Sequence, residues 1–228
     1  MNVLITGAGK GIGFELCKEF LRLENCHVLA ISRNTGNLQS LTSISPNLQA
    51  LAFDLEEDNY TQLVNHISLL PGKKIDILIN NAGLLIKKAF KDLTTEDNRR
   101  MFEVNYLAPY KLIQSLLPCF SDMAHIVNIS SMGGYQGSEK YEGLAGYSSS
   151  KAALACLTEC LANELKDKNI KANCLCLDSV QTSMLEQAFP GYQAPVTAGE
   201  MAFFITNFAI NAHKFINGKI IPVALNNP

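Results

Sequence analysis

Two side chains that could move a proton, Tyr147 and Lys151, lie four positions apart at the start of a long helical pattern. This spacing places both on one face of a helix. A free tyrosine has a pKa of about 10, but an ammonium group ~4 Å away stabilises the phenolate by ~4 kcal/mol at an effective dielectric constant of ~20. The spacing therefore predicts an acid/base pair with a phenol pKa near about 7, although the same spacing is also frequent on ordinary exposed helices.

A glycine-rich turn follows the apolar run at residues 2–6. Its spacing is T-G-x-x-x-G-x-G and not G-x-G-x-x-G, because Ile12 occupies the position of the third glycine. Glycines let the backbone approach a pyrophosphate closely, and the next helix offers free N–H groups and a favourable dipole. Such a cluster could be a tight turn without a ligand, but between a buried strand and an amphipathic helix it predicts dinucleotide binding. The residues expected at the cofactor here are Gly7, Gly9, Lys10, Gly11, Ile12 and Gly13.

The charges near this turn indicate which dinucleotide binds. In NAD-binding units an acidic residue about 20 positions after the glycines holds the ribose 2′-hydroxyl group. Here Ser32 and Arg33 occupy that region. A guanidinium group suits a 2′-phosphate, and Lys10 could add a second positive charge. The pattern favours NADP(H) over NAD(H), the alternative being that both cations are solvated surface charges.

Short apolar runs alternate with longer helical patterns, which is typical of an α/β fold. Most of these runs are apolar along their whole length, which indicates strands buried on both faces of a parallel sheet. We predict a doubly wound (Rossmann-type), mostly parallel seven-stranded sheet with helices on both faces, in a single domain over residues 1–228. The predicted strands are 2–6, 27–31, 48–53, 75–80, 125–130, 170–177 and 219–223. The predicted helices are 11–24, 60–70, 94–117 with a bend at Pro109, 147–167 and 199–211.

Composition narrows the class of protein. Of 228 residues 47% are hydrophobic, and the formal net charge is -2 without a block of one sign, so we expect neither a nucleic-acid nor a membrane partner. No apolar stretch approaches the ~20 residues that span a bilayer, and the N-terminus lacks the pattern of a secretion signal, which favours a cytoplasmic protein. The seven cysteines form no C-x-x-C pair, so we expect reduced thiols, with Cys156 and Cys160 in the core, and no metal site.

Six motifs together resemble the short-chain dehydrogenase/reductase family, in the same order and at approximately the same spacing, from residue 2 to about residue 182. The six are the glycine turn from Thr6, Asp54, Asn80-Asn81-Ala82-Gly83, Val104-Asn105, Asn128-Ile129-Ser130-Ser131 and Tyr147-x-x-x-Lys151. The resemblance implies the fold predicted above and a nicotinamide-dependent oxidoreductase.

The resemblance also implies roles for the catalytic residues. Tyr147 would be the general acid that delivers a proton to a carbonyl oxygen, and Ser131 would hydrogen-bond that oxygen. Lys151 would hold the nicotinamide ribose and lower the tyrosine pKa, while Asn105 would support a water that links Lys151 to solvent. Asp54 would hydrogen-bond the adenine amino group. The remaining residues expected at the cofactor are Leu55, Asn81, Ala82, Gly83, Val180 and Thr182.

The chain departs from the family beside the expected active site. Ser131 lies 16 residues before Tyr147, more than is common, and the surplus falls within 138–146. Ser130 is an alternative catalytic serine, but the glycines that follow keep the family's phase with Ser131. Leu177-Asp178 replaces the family's Pro-Gly. The segment that normally covers the substrate is reduced to about 183–197, where Met184, Leu185, Phe189 and Tyr192 line a pocket or simply pack the segment.

These observations predict an NADPH-dependent reduction of a small-molecule ketone or aldehyde to an alcohol, with hydride from the nicotinamide and a proton from Tyr147. Two alternatives remain, a 3-oxoacyl thioester reductase and a non-catalytic protein that senses NADP(H). The resemblance further implies a homodimer or homotetramer in which helices 94–117 and 147–167 pair across a two-fold axis, and Leu154, Leu157 and Leu161 face either the sheet or that contact.

Overall fold

The computed structural model of the chain describes residues 1–56 and 59–225. Seven strands form its central sheet: β1 (Asn2–Thr6), β2 (His27–Ser32), β3 (Leu48–Ala52), β4 (Ile75–Asn80), β5 (Phe120–Ser131), β6 (Lys171–Leu177) and β9 (Ile220–Val223). The sheet is parallel, with the strand order β3-β2-β1-β4-β5-β6-β9. Two short strands, β7 (Val180–Gln181) and β8 (Val196–Thr197), form a separate parallel pair. Residues 57–58 and 226–228, which the predicted domain includes, lie outside the described residues.

Helices cover both faces of the sheet, as predicted. The helices are α1 (Gly11–Leu21), α2 (Gln39–Thr42), α3 (Tyr60–Ile67), α4 (Thr95–Phe102), α5 (Ala108–Leu116), α6 (Ala145–Glu164), α7 (Ser183–Ala188) and α8 (Ala198–Asn211). Helices α1 and α8 pack on one face and α3, α5 and α6 on the other. In the central strand β1, Val3 and Ile5 join the first core and Leu4 joins the second, and all three are fully buried.

The strand order places a ligand-binding edge between β1 and β4. From β1 the chain winds outward to β2 and β3, then returns to continue on the other side with β4. Connections therefore leave the carboxyl ends of β1 and β4 in opposite directions, and this divergence opens a crevice. The parallel register pairs Ile5 with Ile79, so the segments that follow the two strands begin at the same level.

Helix 94–117 is divided in the structure. Helix α4 begins with a capping box in which Thr94 accepts from the Asp97 backbone N–H and the Asp97 carboxylate accepts from that of Thr94. Such caps stabilise a helix by about 1 kcal/mol. A π-helical segment, Glu103–Leu107, then joins α4 to α5, in whose first turn Pro109 lies. The predicted bend is therefore a change of helical pitch just before the proline.

The prediction that Cys156 and Cys160 lie in the core is wrong, because both side chains are exposed. On helix α6 Leu154 and Leu157 are buried, and positions 156 and 160 fall on the exposed face. Leu161 is partly buried and packs against the second core. All seven thiols are free. Within the described residues, no helix combines the length and apolar character needed to cross a bilayer.

Candidate active site

A cavity of about 490 Å³ lies along the carboxyl ends of the parallel strands. Its wall includes Gly7 after β1, Ser32 at the end of β2, Asn81 after β4, Ser131 at the end of β5 and Asp178 after β6. The doubly wound topology gathers these ends at one edge of the sheet, so residues from distant parts of the sequence meet there. The cavity is long, with one end at Arg33 and the other at Tyr147.

The glycine turn is locked against the loop that follows β4. The Thr6 hydroxyl accepts from the backbone N–H groups of Asn81 and Ala82 at 3.0 and 2.9 Å. Gly7 has a φ of 65°, and a Cβ there would lie 2.8 Å from the Ala82 Cα. A Cβ on Gly13 would lie 2.3 Å from the Gly7 carbonyl oxygen. Glycine is required at both positions, and the tight packing holds the N-terminus of α1 at the cavity.

This end of α1 has features of an anion site. Lys10 stands at the N-cap position, where its side chain makes no capping hydrogen bond, and no acidic residue lies in the first turn. The first N–H groups of α1 therefore have no side-chain cap, and the helix dipole adds positive potential. Gly11 and Ile12 line the cavity beside them. The donor set fits the pyrophosphate of a dinucleotide.

Lys10, Ser32, Arg33, Asp54 and Leu55, which were predicted at the cofactor, line the far end of the cavity, and their contact with adenosine remains a prediction. The structure adds a residue that the sequence reasoning missed, because the Glu56 carboxylate also lines this end, 3.8 Å from the Arg33 guanidinium. The sequence could have indicated Glu56, because it lies only two residues after Asp54, which was predicted at the cofactor. The Glu56 backbone N–H donates to Asp54 Oδ1 at 2.9 Å.

Ser131, Tyr147 and Lys151 meet at the other end of the cavity. The Ser131 side chain is a hydrogen-bond partner of the Tyr147 hydroxyl. Lys151 Nζ lies 6.0 Å from the centre of the Tyr147 ring and donates to the Ile129 carbonyl at 2.8 Å. The predicted helix face therefore exists, but the ammonium group is directed at the end of β5.

Burial changes the pKa of both groups of this pair. It raises the pKa of Tyr147 to about 12, against which the hydrogen bond with Ser131 acts. It lowers the pKa of Lys151 to about 8, against which the nearby Cys174 and Cys176 act. The expected phenol pKa near 7 is wrong for this state of the protein. Removing the phenolate from water destabilises it, and the Lys151 ammonium, which contacts the Ile129 carbonyl, does not compensate for this loss.

The two candidate serines occupy different environments. The Ser130 hydroxyl is buried and donates to the Lys151 carbonyl at 2.9 Å, which fixes the β5 end to helix α6. The Ser131 hydroxyl lies at Tyr147 and accepts from the Gly133 N–H at 3.2 Å. Successive side chains of a strand point to opposite faces, so only one of the two can face the phenol. The structure places Ser131 there.

Asn105 is fully buried in the π-helical segment. Its Oδ1 accepts from the Leu84 N–H at 2.8 Å, and its Nδ2 donates to the Leu84 carbonyl and to the Ser150 hydroxyl, each at 2.9 Å. A Cβ on Gly83 would lie 3.4 Å from both Asn105 Oδ1 and Lys151 Nζ. Asn105 thus holds the backbone after β4 close to Lys151, and its expected role in supporting a water remains a prediction.

The segments that depart from the family form the outer wall. In the longer loop before Tyr147, Lys140 Nζ donates to the carbonyls of Tyr135 and Ser138 at 2.7 and 3.0 Å, and Tyr141 and Leu144 line the cavity. The apolar side chains of 183–197 line it as well, so they do more than pack their own segment. These side chains are Met184, Leu185, Phe189 and Tyr192.

Leu177 and Asp178 continue the edge of the sheet. Leu177 pairs with Ser131 and Val223, and the Asp178 N–H donates to the Val223 carbonyl at 3.0 Å. Asp178 itself is exposed in the cavity wall, where its Oδ1 accepts from the Ser179 N–H at 2.7 Å. Val180 and Thr182 also line the cavity, and the Thr182 hydroxyl caps α7 by accepting from the Leu185 N–H at 3.3 Å.

Comparisons with known proteins agree with this geometry. A sequence model of short chain dehydrogenases matches residues 1–193. Carbonyl reductase [NADPH] 2 of Sus scrofa is 33% identical over 187 residues, covering 81% of this chain and 73% of that protein. The structure of ElxO with NADP bound has 28% identity and a TM-score of 0.83, covering 97% of this chain and 96% of ElxO. A 4-hydroxyisoleucine dehydrogenase mutant complexed with NADH and succinate has 26% identity and a TM-score of 0.83, covering 98% and 96% of the two chains.

Proposed function

The chain belongs to the short-chain dehydrogenase family, and on that basis we propose that it is an NADPH-dependent enzyme that reduces a ketone or an aldehyde to an alcohol. The observation that carries the proposal is the meeting of Ser131, Tyr147 and Lys151 at one end of a cavity whose other end holds the glycine turn and Arg33. A related protein of similar length is named a carbonyl reductase that uses NADPH.

When bound, the reduced nicotinamide supplies a hydride to the carbonyl carbon. The residues of the chain handle the carbonyl oxygen, on which negative charge develops. The Tyr147 hydroxyl donates its proton to that oxygen, and the Ser131 hydroxyl donates a hydrogen bond to it. Since the pKa of Tyr147 is about 12, the phenol is protonated at neutral pH, which is the form that a proton donor requires. Lys151, with a pKa of about 8, is mostly protonated there, and its Nζ lies 6.0 Å from the centre of the Tyr147 ring.

The preference for NADPH rests on the far end of the cavity. Arg33 and Lys10 line it, and Ser32 stands where an NAD-binding unit would place an acid. The solved relatives do not decide between the cofactors, because one was described with NADP and another with NADH. The remaining contacts to the dinucleotide are proposed for Gly7, Gly9, Gly11, Ile12, Gly13, Asp54, Leu55, Asn81, Ala82, Gly83, Val180 and Thr182.

A panel of carbonyl compounds tests the proposal. The purified chain is mixed with NADPH and simple aldehydes, aromatic ketones, a pentulose sugar and a 3-oxoacyl thioester, and the decrease in NADPH absorbance is followed. Turnover of at least one simple ketone or aldehyde is expected. Tight NADPH binding without turnover of any compound would contradict reduction and favour a nucleotide-sensing protein, whereas turnover of the thioester alone would favour that class of reductase.

We also propose that the chain forms a homodimer or homotetramer through α4, α5 and α6. Leu154 and Leu157 of α6 are already buried within one chain, so this contact would use the exposed face of the helix, which carries Ala152, Cys156 and Cys160. Small side chains permit two helices to approach closely across a two-fold axis. Light scattering at micromolar concentration should return at least twice the 25.0 kDa of one chain, and a particle of 25.0 kDa would refute the proposal.

A further inference from the structure

Glu56 places a carboxylate at the end of the cavity where Arg33 lies. Its Oε2 is 3.8 Å from an Arg33 guanidinium nitrogen, and its Oε1 is 3.8 Å from Nε of Arg100 on α4. The Glu56 side chain is 19% exposed, whereas those of Arg33 and Arg100 are 66% and 45% exposed. One carboxylate is therefore shared by two guanidinium groups, at distances longer than those of hydrogen bonds.

The Arg33–Glu56 pair is easily exchanged for a stronger one. Two charges 3.8 Å apart, one of them on an exposed arginine side chain, contribute little to stability. A phosphate dianion can bind the same guanidinium through two short, charge-assisted hydrogen bonds. A 2′-phosphate that binds Arg33 competes with Glu56 for it, and the negative charge of Glu56 remains close to the phosphate afterwards.

Arg100 modifies this exchange from outside the cavity. Arg33 and Glu56 line the cavity, whereas Arg100 is not among the described residues of its wall. When Arg33 turns to a phosphate, Glu56 keeps Arg100 as a partner, which reduces the repulsion between carboxylate and phosphate. When the dinucleotide lacks the phosphate, Arg33 keeps Glu56, so its charge stays compensated.

We propose that Glu56 sets how strongly the chain discriminates between phosphorylated and unphosphorylated dinucleotides, by competing with the 2′-phosphate for Arg33, and that Arg100 weakens this competition. The proposal rests on the proposed function only in that the cavity binds the adenosine half of a dinucleotide at Arg33. It does not require that a carbonyl compound is reduced.

The test uses two fragments that differ only in the phosphate, adenosine 2′,5′-bisphosphate and adenosine 5′-monophosphate. Their affinities for the full chain are measured by calorimetry at low salt. Glu56→Gln should bind the bisphosphate about three- to tenfold more tightly, and the affinity for the monophosphate should change less than about twofold. Arg100→Gln should bind the bisphosphate about two- to threefold more weakly, and it should have no such effect in the Glu56→Gln background.

Glu24→Gln is the matched control, because Glu24 is exposed after α1 and outside the described cavity wall, and its loss changes the net charge equally. Thermal unfolding of each variant checks that it is folded. The proposal is overturned if Glu56→Gln binds the bisphosphate no more tightly than Glu24→Gln, or if Arg100→Gln acts equally in both backgrounds. Binding in the expected order without carbonyl turnover would support it while refuting the reductase function, and failure of every variant to bind the bisphosphate would overturn both this proposal and the NADPH preference.

Discussion

The two ends of the cavity use positive charge in opposite ways. Lys151 is only 3% exposed, and burial lowers its pKa to about 8. The Arg33 side chain is 66% exposed, and its carboxylate partner is 3.8 Å away. A buried ammonium group can lose or regain a proton close to neutral pH, whereas an exposed guanidinium group keeps its charge and serves recognition. Burial, more than residue type, therefore separates the reactive end from the binding end.

The difference arises from where each cation is attached. Lys151 projects from α6 against the end of β5, where Ile129 and Ser130 fix both its ammonium and its backbone. Arg33 follows the last residue of β2, on a turn with solvent on one side. Substitutions at the first end should change chemistry and stability strongly, and those at the second should change only affinity.

The largest effect is expected for Tyr147→Phe, which removes the proton donor and almost no packing surface. The kcat/KM for carbonyl reduction should fall by about 10²- to 10⁴-fold, the usual contribution of a general acid. The Kd for NADPH should stay within about twofold. Tyr110→Phe is the matched control, since Tyr110 is exposed on α5. Substantial remaining turnover would contradict the role of Tyr147.

The second prediction concerns the stability of the buried Lys151. Its pKa is about 8 in the folded chain against 10.5 for a free lysine, so below pH 8 folding carries the full cost of a buried charge. Between pH 8 and 10.5 the unfolded chain binds more protons, and the free energy of unfolding therefore rises with pH, by at most about 3 kcal/mol from this group.

Urea denaturation of the native chain and of Lys151→Met between pH 7 and 9.5 measures this contribution. The difference between their unfolding free energies should change with pH in that direction, because the remaining groups are common to both. Reduction by the native chain should also slow as pH rises through about 8, when Lys151 loses its proton. If the free energies of unfolding of the two proteins change in parallel with pH, burial does not lower the pKa of Lys151.

Arg33→Ala probes the exposed end. The Kd for NADPH should rise by about tenfold or more and that for NADH should change little, since only the 2′-phosphate loses a partner. The free energy of unfolding should change by less than about 0.5 kcal/mol, as for other exposed sites. Arg22→Ala, which removes an exposed arginine paired with Glu19 at the end of α1, is the control. An unchanged preference between the cofactors would remove the assignment of Arg33.

The end of the cavity at Tyr147 was predictable from the sequence only in part. Helical periodicity alone placed Tyr147 and Lys151 on one face, and the alternation along β5 separates Ser130 from Ser131. The direction of the Lys151 ammonium was not predictable, because it depends on the Ile129 carbonyl of a strand that packs on α6 only after folding. The pKa values depend on that burial.

The far end of the cavity shows the same limit. Arg33 and Glu56 lie 23 positions apart and meet because β2 and β3 are neighbours in a parallel sheet. No local pattern encodes such a pair, whereas the close approach of Gly13 to the Gly7 carbonyl lies within one turn. Local chemistry was therefore predictable from the sequence, and long-range charge pairing was not.

The smallest effect is expected for Asp178→Asn. Asp178 is exposed like Arg33, but it lies in the cavity wall after β6 and is a carboxylate. Oxidised nicotinamide carries a positive charge that the reduced ring lacks, so a carboxylate in the wall should stabilise bound NADP⁺ relative to NADPH. Asp178 is exposed, and water reduces its Coulomb energy with the ring to below about 1 kcal/mol at a separation of ~6 to 8 Å. Asparagine can still accept from the Ser179 N–H, so the wall should keep its shape.

The ratio of the dissociation constants for NADP⁺ and NADPH should move by about threefold in Asp178→Asn at low salt and converge with that of the native chain at high salt. Asp122→Asn, an exposed change near the start of β5 at the opposite edge of the sheet, should leave the ratio unchanged. A shift of less than about threefold in Asp178→Asn would mean that solvent screens the carboxylate completely and that only burial, as at Lys151, lets a charge act on the reacting groups.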